Sequence, residues 1–165
     1  MKKFISIIAL TIALALFATS CSDDDSSTGP SDLKIGEMVA TIDGDSWEAN
    51  FAYYYNNLDA VNGWEVDITN PTSSDRNTIV VDLEVEGEVQ EQTYTAFCAY
   101  QTSSGMDMNS NDAWQDSEGT CVVTEVSETE IKGTFTFTGI NVKDDNDTKE
   151  VSGSFYVQRQ DNGEI

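Results

Sequence analysis

Between Asp107 and Glu118, oxygen-bearing side chains fall at steps one, three, five, nine and twelve: Asp107, Asn109, Asn111, Gln115 and Glu118. That is the ligand spacing of a calcium loop, in which alternating oxygens wrap a hard cation and the last carboxylate supplies two of them. The sixth position, where the sharp turn calls for glycine, is Asp112, so a plain solvated loop is the competing reading. Asp144, Asp145 and Asp147 form a weaker calcium candidate, with a hairpin turn as its alternative. No cofactor is expected beyond that calcium. Cys98 and Cys121 lie 23 residues apart, and an even pair in an exported chain is expected to close a disulfide. A loop of that length would contribute roughly 3 kcal/mol in the chain-entropy model. Two buried thiols are the alternative, and nothing basic lies nearby in sequence to hold either sulfur as a reactive thiolate.

Histidine is absent, which removes Ser-His-Asp and Cys-His nucleophile systems and imidazole metal sites. Paired carboxylates are the acid and base system left, and glycoside hydrolysis needs two of them about 5 to 9 Å apart in a cleft. With 30 Asp and Glu, spacing selects no pair, and a domain of some 120 residues is small for such a cleft. A non-enzyme is expected, and a carboxylate hydrolase is the minor alternative. Aromatic rings on a β surface stack on sugar faces while neighbouring carboxylates accept bonds from the sugar hydroxyls. Of the candidates, Trp47, Phe51, Tyr53, Trp64 and Phe135 fit buried positions of period-two strands. Tyr54 and Trp114 are left as the exposed, ligand-binding pair.

These residues must be carried by short strands. From Glu37 onward the dominant period is two, in runs rich in Val, Ile, Thr and aromatics separated by Gly, Asn, Asp and Ser. Asp43-Gly44 marks a two-residue hairpin between Met38–Ile42 and Trp47–Tyr55. Phe51, Tyr53 and Tyr55 share one side, and Ile79, Val81, Leu83 and Val85 alternate with Val80, Asp82 and Glu84. Tyr94–Gln101 is less polar and reads as covered on both faces. Cys121–Val126, Ile131–Ile140 and Glu150–Gln158 form a meander with polar turns at 127–130 and 143–148, and Gly133 and Gly153 inside it predict bulges or close backbone approach. About eight such strands predict an all-β, antiparallel sandwich or flattened barrel over residues 37–160.

The N-terminus reads as an export signal. Lys2 and Lys3 precede an apolar run from Phe4 to Ala18, too short and too small-ended for a membrane span. Thr19-Ser20-Cys21 resembles the lipobox of bacterial lipoproteins, so residues 1–20 are expected to be removed and Cys21 acylated. That anchor would hold the chain stably in outer-membrane lipid. Removal leaves 6 basic side chains against 30 acidic ones, a net charge of −24 that repels nucleic acid and bare anionic membrane. Residues 21–36 then form an acidic tether, and Cys21-Ser22-Asp23-Asp24-Asp25 resembles the signal that sends Bacteroidota lipoproteins to the outer face of the outer membrane.

The order Met38–Ala49, an Ile79–Leu83 strand, Thr93-Tyr94, and the phrases Gly119-Thr120-Cys121, Gly133-Thr134-Phe135 and Gly153-Ser154-Phe155 resembles a family of uncharacterised Bacteroidota surface lipoproteins. The resemblance implies a small all-β domain and brings no activity or site residues with it. The functional expectation is a non-catalytic binding or accessory module at the cell surface, its ligand a glycan or a surface protein. A structural subunit of an outer-membrane assembly, engaged through a sheet edge or the 102–119 connection, is the first alternative.

Overall fold

The computed structural model describes residues 32–56, 58–66, 76–85, 87–102 and 113–160, by backbone alone at 64–66 and 76. The expected signal, Cys21 and most of the expected tether lie outside the described residues, as do Asp107, Asn109 and Asn111. Within them the chain is all-β, with nine strands where sequence periodicity predicts about eight. They are β1 (Glu37–Ile42), β2 (Asp45–Glu48), β3 (Phe51–Tyr55), β4 (Ala60–Val66), β5 (Arg76–Asp82), β6 (Thr93–Gln101), β7 (Ala113–Val126), β8 (Glu130–Asn141) and β9 (Asp144–Gln160).

Neighbouring strands pair antiparallel from β3 through β9, and β9 then turns back to pair with β3. That last pairing is parallel, Tyr53 to Tyr55 against Gln158 to Gln160, and it closes a ring of seven strands. Closure removes the exposed edges that an open sheet of this size would carry. The flattened barrel expected from strand spacing is thus present, with one parallel seam in an otherwise antiparallel sheet.

The β1–β2 hairpin lies outside the ring. β1 pairs with β9 below the seam, at Glu37 to Ile42 against Tyr156 to Val151. Its two-residue turn, Asp43 at φ 52° and Gly44 at φ 91°, is the type I′ geometry that matches the right-handed twist of the strands. Asp43 also ties the turn down, accepting the Glu150 N–H at 2.8 Å and the Lys149 ammonium at 3.2 Å. Those two contacts hold its carboxyl below the usual range. Residues before the expected domain edge at 37 also pack on the sheet, since Leu33 is buried and the Gly36 N–H bonds the Tyr156 carbonyl at 2.7 Å.

One core fills the barrel, with Tyr54, Phe135, Phe155, Met38, Ile79 and Leu83 among its largest buried side chains. Gly133 and Gly153 provide the close approach that their place inside strands predicts. Gly133 stands opposite Phe155 and Gly153 opposite Phe135, so each ring lies over the glycine of the other strand. A Cβ at Gly133 would strike the Phe155 ring at 2.7 Å and the Val122 carbonyl; one at Gly153 would strike the Phe135 ring and, at 2.5 Å, the Val39 carbonyl. The two rings also stack on each other, with centroids 6.5 Å apart. Glycine paired with an aromatic across an antiparallel ladder is a known device for fixing register.

Two predicted connections are shorter than expected. Strand β7 begins at Ala113, within the span read as a 102–119 loop, and β9 begins at Asp144, within the span read as a 143–148 turn. Gln115 and Glu118 therefore sit on a strand and not in a loop. Asp144, Asp145 and Asp147 belong to β9, and no group of three or more metal-ligating side chains occurs among the described residues.

Candidate functional site

Strand β3 has the sense opposite to the one predicted. Phe51, Tyr53 and Tyr55 do share one side, but it is the outer side, with Phe51 49% exposed. Ala52 and Tyr54 point inward, and Tyr54 is 1% exposed. The cause is space. Gly63, the register partner of Ala52, has Met38, Trp47 and Ala49 crowded over it, so the interior beside β3 is already filled and admits only a methyl group there. The bulky alternate set must face out.

Tyr54 enters the interior further along, where its ring packs beneath the Arg159 guanidinium at 5.7 Å and its hydroxyl donates to Asp59 at 3.1 Å. Burial, with Asp59 adding to it, pushes that phenol well above its ordinary value. Tyr54 is therefore a structural residue and no ligand platform. Trp114 is corrected likewise. It is 8% exposed, stacked on Tyr100 at 5.8 Å and capped by the Lys149 ammonium at 4.8 Å from its ring. Gly139 makes room for it, since a Cβ there would lie 2.8 Å from the Trp114 Cβ. The indole N–H groups of Trp47 and Trp114 are buried without a hydrogen-bond partner among the described residues.

The cysteines are free and both are fully buried, so the expected disulfide is not formed in this structure. Register explains it. Cys121 stands opposite Tyr94, while Cys98 lies four residues further along β6, opposite Asp116. At about 3.3 Å per residue, four residues set their Cα atoms roughly 13 Å apart along the strands. A disulfide tolerates no more than about 7 Å. Burial raises both thiols, Cys121 to about 12, which leaves them protonated and inert.

What the fold does present is the outer row on β3. Successive outward residues on a strand repeat at roughly 7 Å, so Phe51, Tyr53 and Tyr55 form a file of rings. Their neighbours in register are Trp64, Asn62 and Ala60 on β4, and Gln158 and Gln160 on β9. None of these is charged, in a chain of net charge −22. Tyr53 lies close enough to Tyr55 to add to the desolvation that raises the Tyr55 phenol. Asn62 and Ala60 are buried, with the Asn62 amide donating to the Ala60 carbonyl at 3.4 Å, so the accessible amides beside the file are Gln158 and Gln160. Rings flanked by amides on one side can stack against the C–H face of a sugar while those amides both donate to and accept from its hydroxyls. No protein-family model, curated protein or solved structure matches this chain. The site therefore has to be read from its own chemistry.

Of the five predicted calcium ligands Gln115 and Glu118 are described, and Glu118 is exposed on β7. Its N–H bonds the Asp116 carboxylate at 2.9 Å, and the other Asp116 oxygen accepts the Thr138 N–H at 3.1 Å. Asp116 thus spans the register shift in β7 between Gln115 and Thr120, supplying acceptors where the ladder is interrupted. Elsewhere the carboxylates are likewise engaged: Glu125 pairs with Lys132 at 3.2 Å, and Glu130 accepts the Tyr156 hydroxyl at 2.7 Å.

Sequence reasoning misses Phe51, Tyr53 and Tyr55 as a surface. The signal that points to them is the size alternation of the strand, in which Ala52 marks the cramped side.

Proposed function

We propose that this chain is a cell-surface lipoprotein, anchored in the outer membrane through acylated Cys21, whose β domain is a non-catalytic binding module for glycans. The anchor and location rest on the lipobox and acidic-signal resemblances of residues 19–25. The ligand class rests on one observation: the outward file of exposed Phe51 and half-buried Tyr53 and Tyr55, uncharged along both of its register neighbours. Outward aromatics gathered in one place on a small domain support a binding surface, because isolated ones are what chance supplies. The Ser22–Ser31 segment contains no apolar residue and suits a tether that presents the domain away from the bilayer.

The test is binding of the protein to a broad polysaccharide panel, with calcium and with chelator. Binding is expected in both conditions, since the aromatic file needs no ion. Replacing Tyr53 by Ala is expected to weaken it about tenfold, equivalent to about 1.4 kcal/mol, without changing the melting temperature, because the ring contributes little to the core. Unchanged affinity in Tyr53→Ala and Phe51→Ala variants would remove the aromatic file from the site. Staining of intact cells with a domain antibody tests the location; signal appearing only after permeabilisation would exclude the outer face.

A further inference from the structure

A second surface lies across the opposite part of the sheet. Thr41 on β1, Ser152 on β9, Thr136 on β8 and Thr120 on β7 stand opposite one another in register, and the line continues to Thr95 on β6. All five are exposed. The adjacent row, one step along the outer face, reads Val39, Ser154, Thr134, Val122 and Thr93. Ten outward positions on five strands thus carry only Thr, Ser and Val, in a chain 23% of whose residues are charged. The rows on either side return to charge, with Asp116, Glu118 and Glu150 on one flank and Glu37 and Lys132 on the other.

Thr41, Ser152, Thr136 and Thr120 of the first row are the floor of a trough of about 460 Å³, rimmed by Asp116, Glu118, Glu150 and Gly44. Thr41 and Ser152 hydrogen-bond each other at 2.9 Å. The hydroxyls of Thr120 and Thr136 have no protein partner among the described residues, so both offer a donor and an acceptor outward. Across four strands at about 4.8 Å spacing, the row extends roughly 14 Å.

We infer that this trough is a second glycan site, taking a neutral polysaccharide chain laid across β7, β8, β9 and β1 and held hydroxyl to hydroxyl. Three features select that occupant. The floor is a sheet face whose backbone groups already bond to one another, so a peptide has no edge on which to add a strand. The Asp116, Glu118 and Glu150 rim, with the net charge of −22, repels uronates, sulfated chains and nucleic acid. The remaining chemistry is a row of hydroxyls, those of Thr120 and Thr136 without a protein partner among the described residues, which is matched by a ligand dense in hydroxyls and lacking charge. The inference borrows from the proposal above only the ligand class, because it uses none of the β3 rings.

The test uses the full-length protein in mild detergent with soluble neutral polysaccharides, and with an anionic one as comparison. A Thr120→Val/Thr136→Val variant removes two hydroxyls while keeping shape and strand preference. It is expected to melt at the wild-type temperature and to lose about tenfold in affinity for the neutral chain, as two neutral hydrogen bonds imply. The milder Ser152→Ala variant is expected to lose less, in the same direction. Wild-type affinity in the Val variant, with binding abolished by Tyr53→Ala, would overturn the trough and leave the aromatic file standing. Loss in the Val variant with Tyr53→Ala unaffected would support the trough and overturn the file. Tighter binding of the anionic polymer than of the neutral one would overturn the trough, and binding of no polymer at all would overturn both.

Discussion

At the scale of single residues, burial decides what each side chain is for, and four of the chemically suggestive ones are interior. Tyr54 and Trp114 face a packed barrel, where a ring is worth more as core than as platform. Truncating Tyr54 to Ala removes a buried ring together with its hydrogen bond to Asp59, and losses of this kind run to about 3–5 kcal/mol. Cys98 and Cys121 are the other two. Because both thiols are buried and raised, the folded domain is expected to resist a thiol reagent, and unfolding in guanidinium is expected to release two reactive thiols per chain. A reading of zero thiols after unfolding would mean that the chain closes the bridge and that β6 and β7 shift register to allow it.

At the scale of elements, the sequence shows the period of each strand more readily than its sense. Ile79, Val81 and Leu83 point inward as their alternation with Asp82 and Glu84 requires, because charge marks the outer side. β3 offers no such mark: Phe51, Ala52, Tyr53, Tyr54 and Tyr55 contain no charge, and hydrophobicity alone assigns the larger set to the core. What reverses it is the volume occupied by Met38 and Trp47, residues brought over Gly63 by a hairpin that sequence spacing cannot locate in space. A one-residue change of sense moves every side chain of a strand to the other face. The trough is hidden for a related reason. Thr134, Thr136 and Thr138 are visibly a wet face, but their alignment with Thr120, Ser152 and Thr41 exists only once the register of four strands is known. Gly153 and Gly133 help set that register. A Gly153→Ala variant would press a methyl group into the Phe135 ring and the Val39 carbonyl, an overpacking cost of about 1–3 kcal/mol. Urea denaturation should show a lower midpoint with unchanged slope; a midpoint equal to wild type would mean that the β8–β9 ladder yields without strain.

At the scale of the whole molecule, a closed ring of strands belongs to a chain of formal charge −22, and no charged side chain is buried among the described residues. The charge opposes compaction, since folding brings 30 carboxylates nearer to one another than the unfolded chain does. At 10 mM ionic strength the screening length is about 30 Å, so acids across the domain repel each other; at 0.1 M it falls to about 10 Å and the distant pairs are silenced. Stability at pH 7 is therefore expected to rise with salt over this range, with a melting temperature higher by several degrees at 0.15 M than at 10 mM. Asp43 acts with the opposite sign and gives an internal control. Its carboxyl is held below its ordinary value by the Glu150 N–H and Lys149, so its contribution is present above that ordinary value and disappears as pH falls through the lowered one. An Asp43→Asn variant should melt below wild type at pH 7, and the gap should close in strong acid, while general repulsion is relieved over the same descent as the other carboxylates protonate. Calorimetry across salt and pH separates the two. A melting temperature that stays flat or falls between 10 mM and 0.15 M salt would show that the acidic surface costs the fold nothing, and its charge would then have to be explained by what it repels.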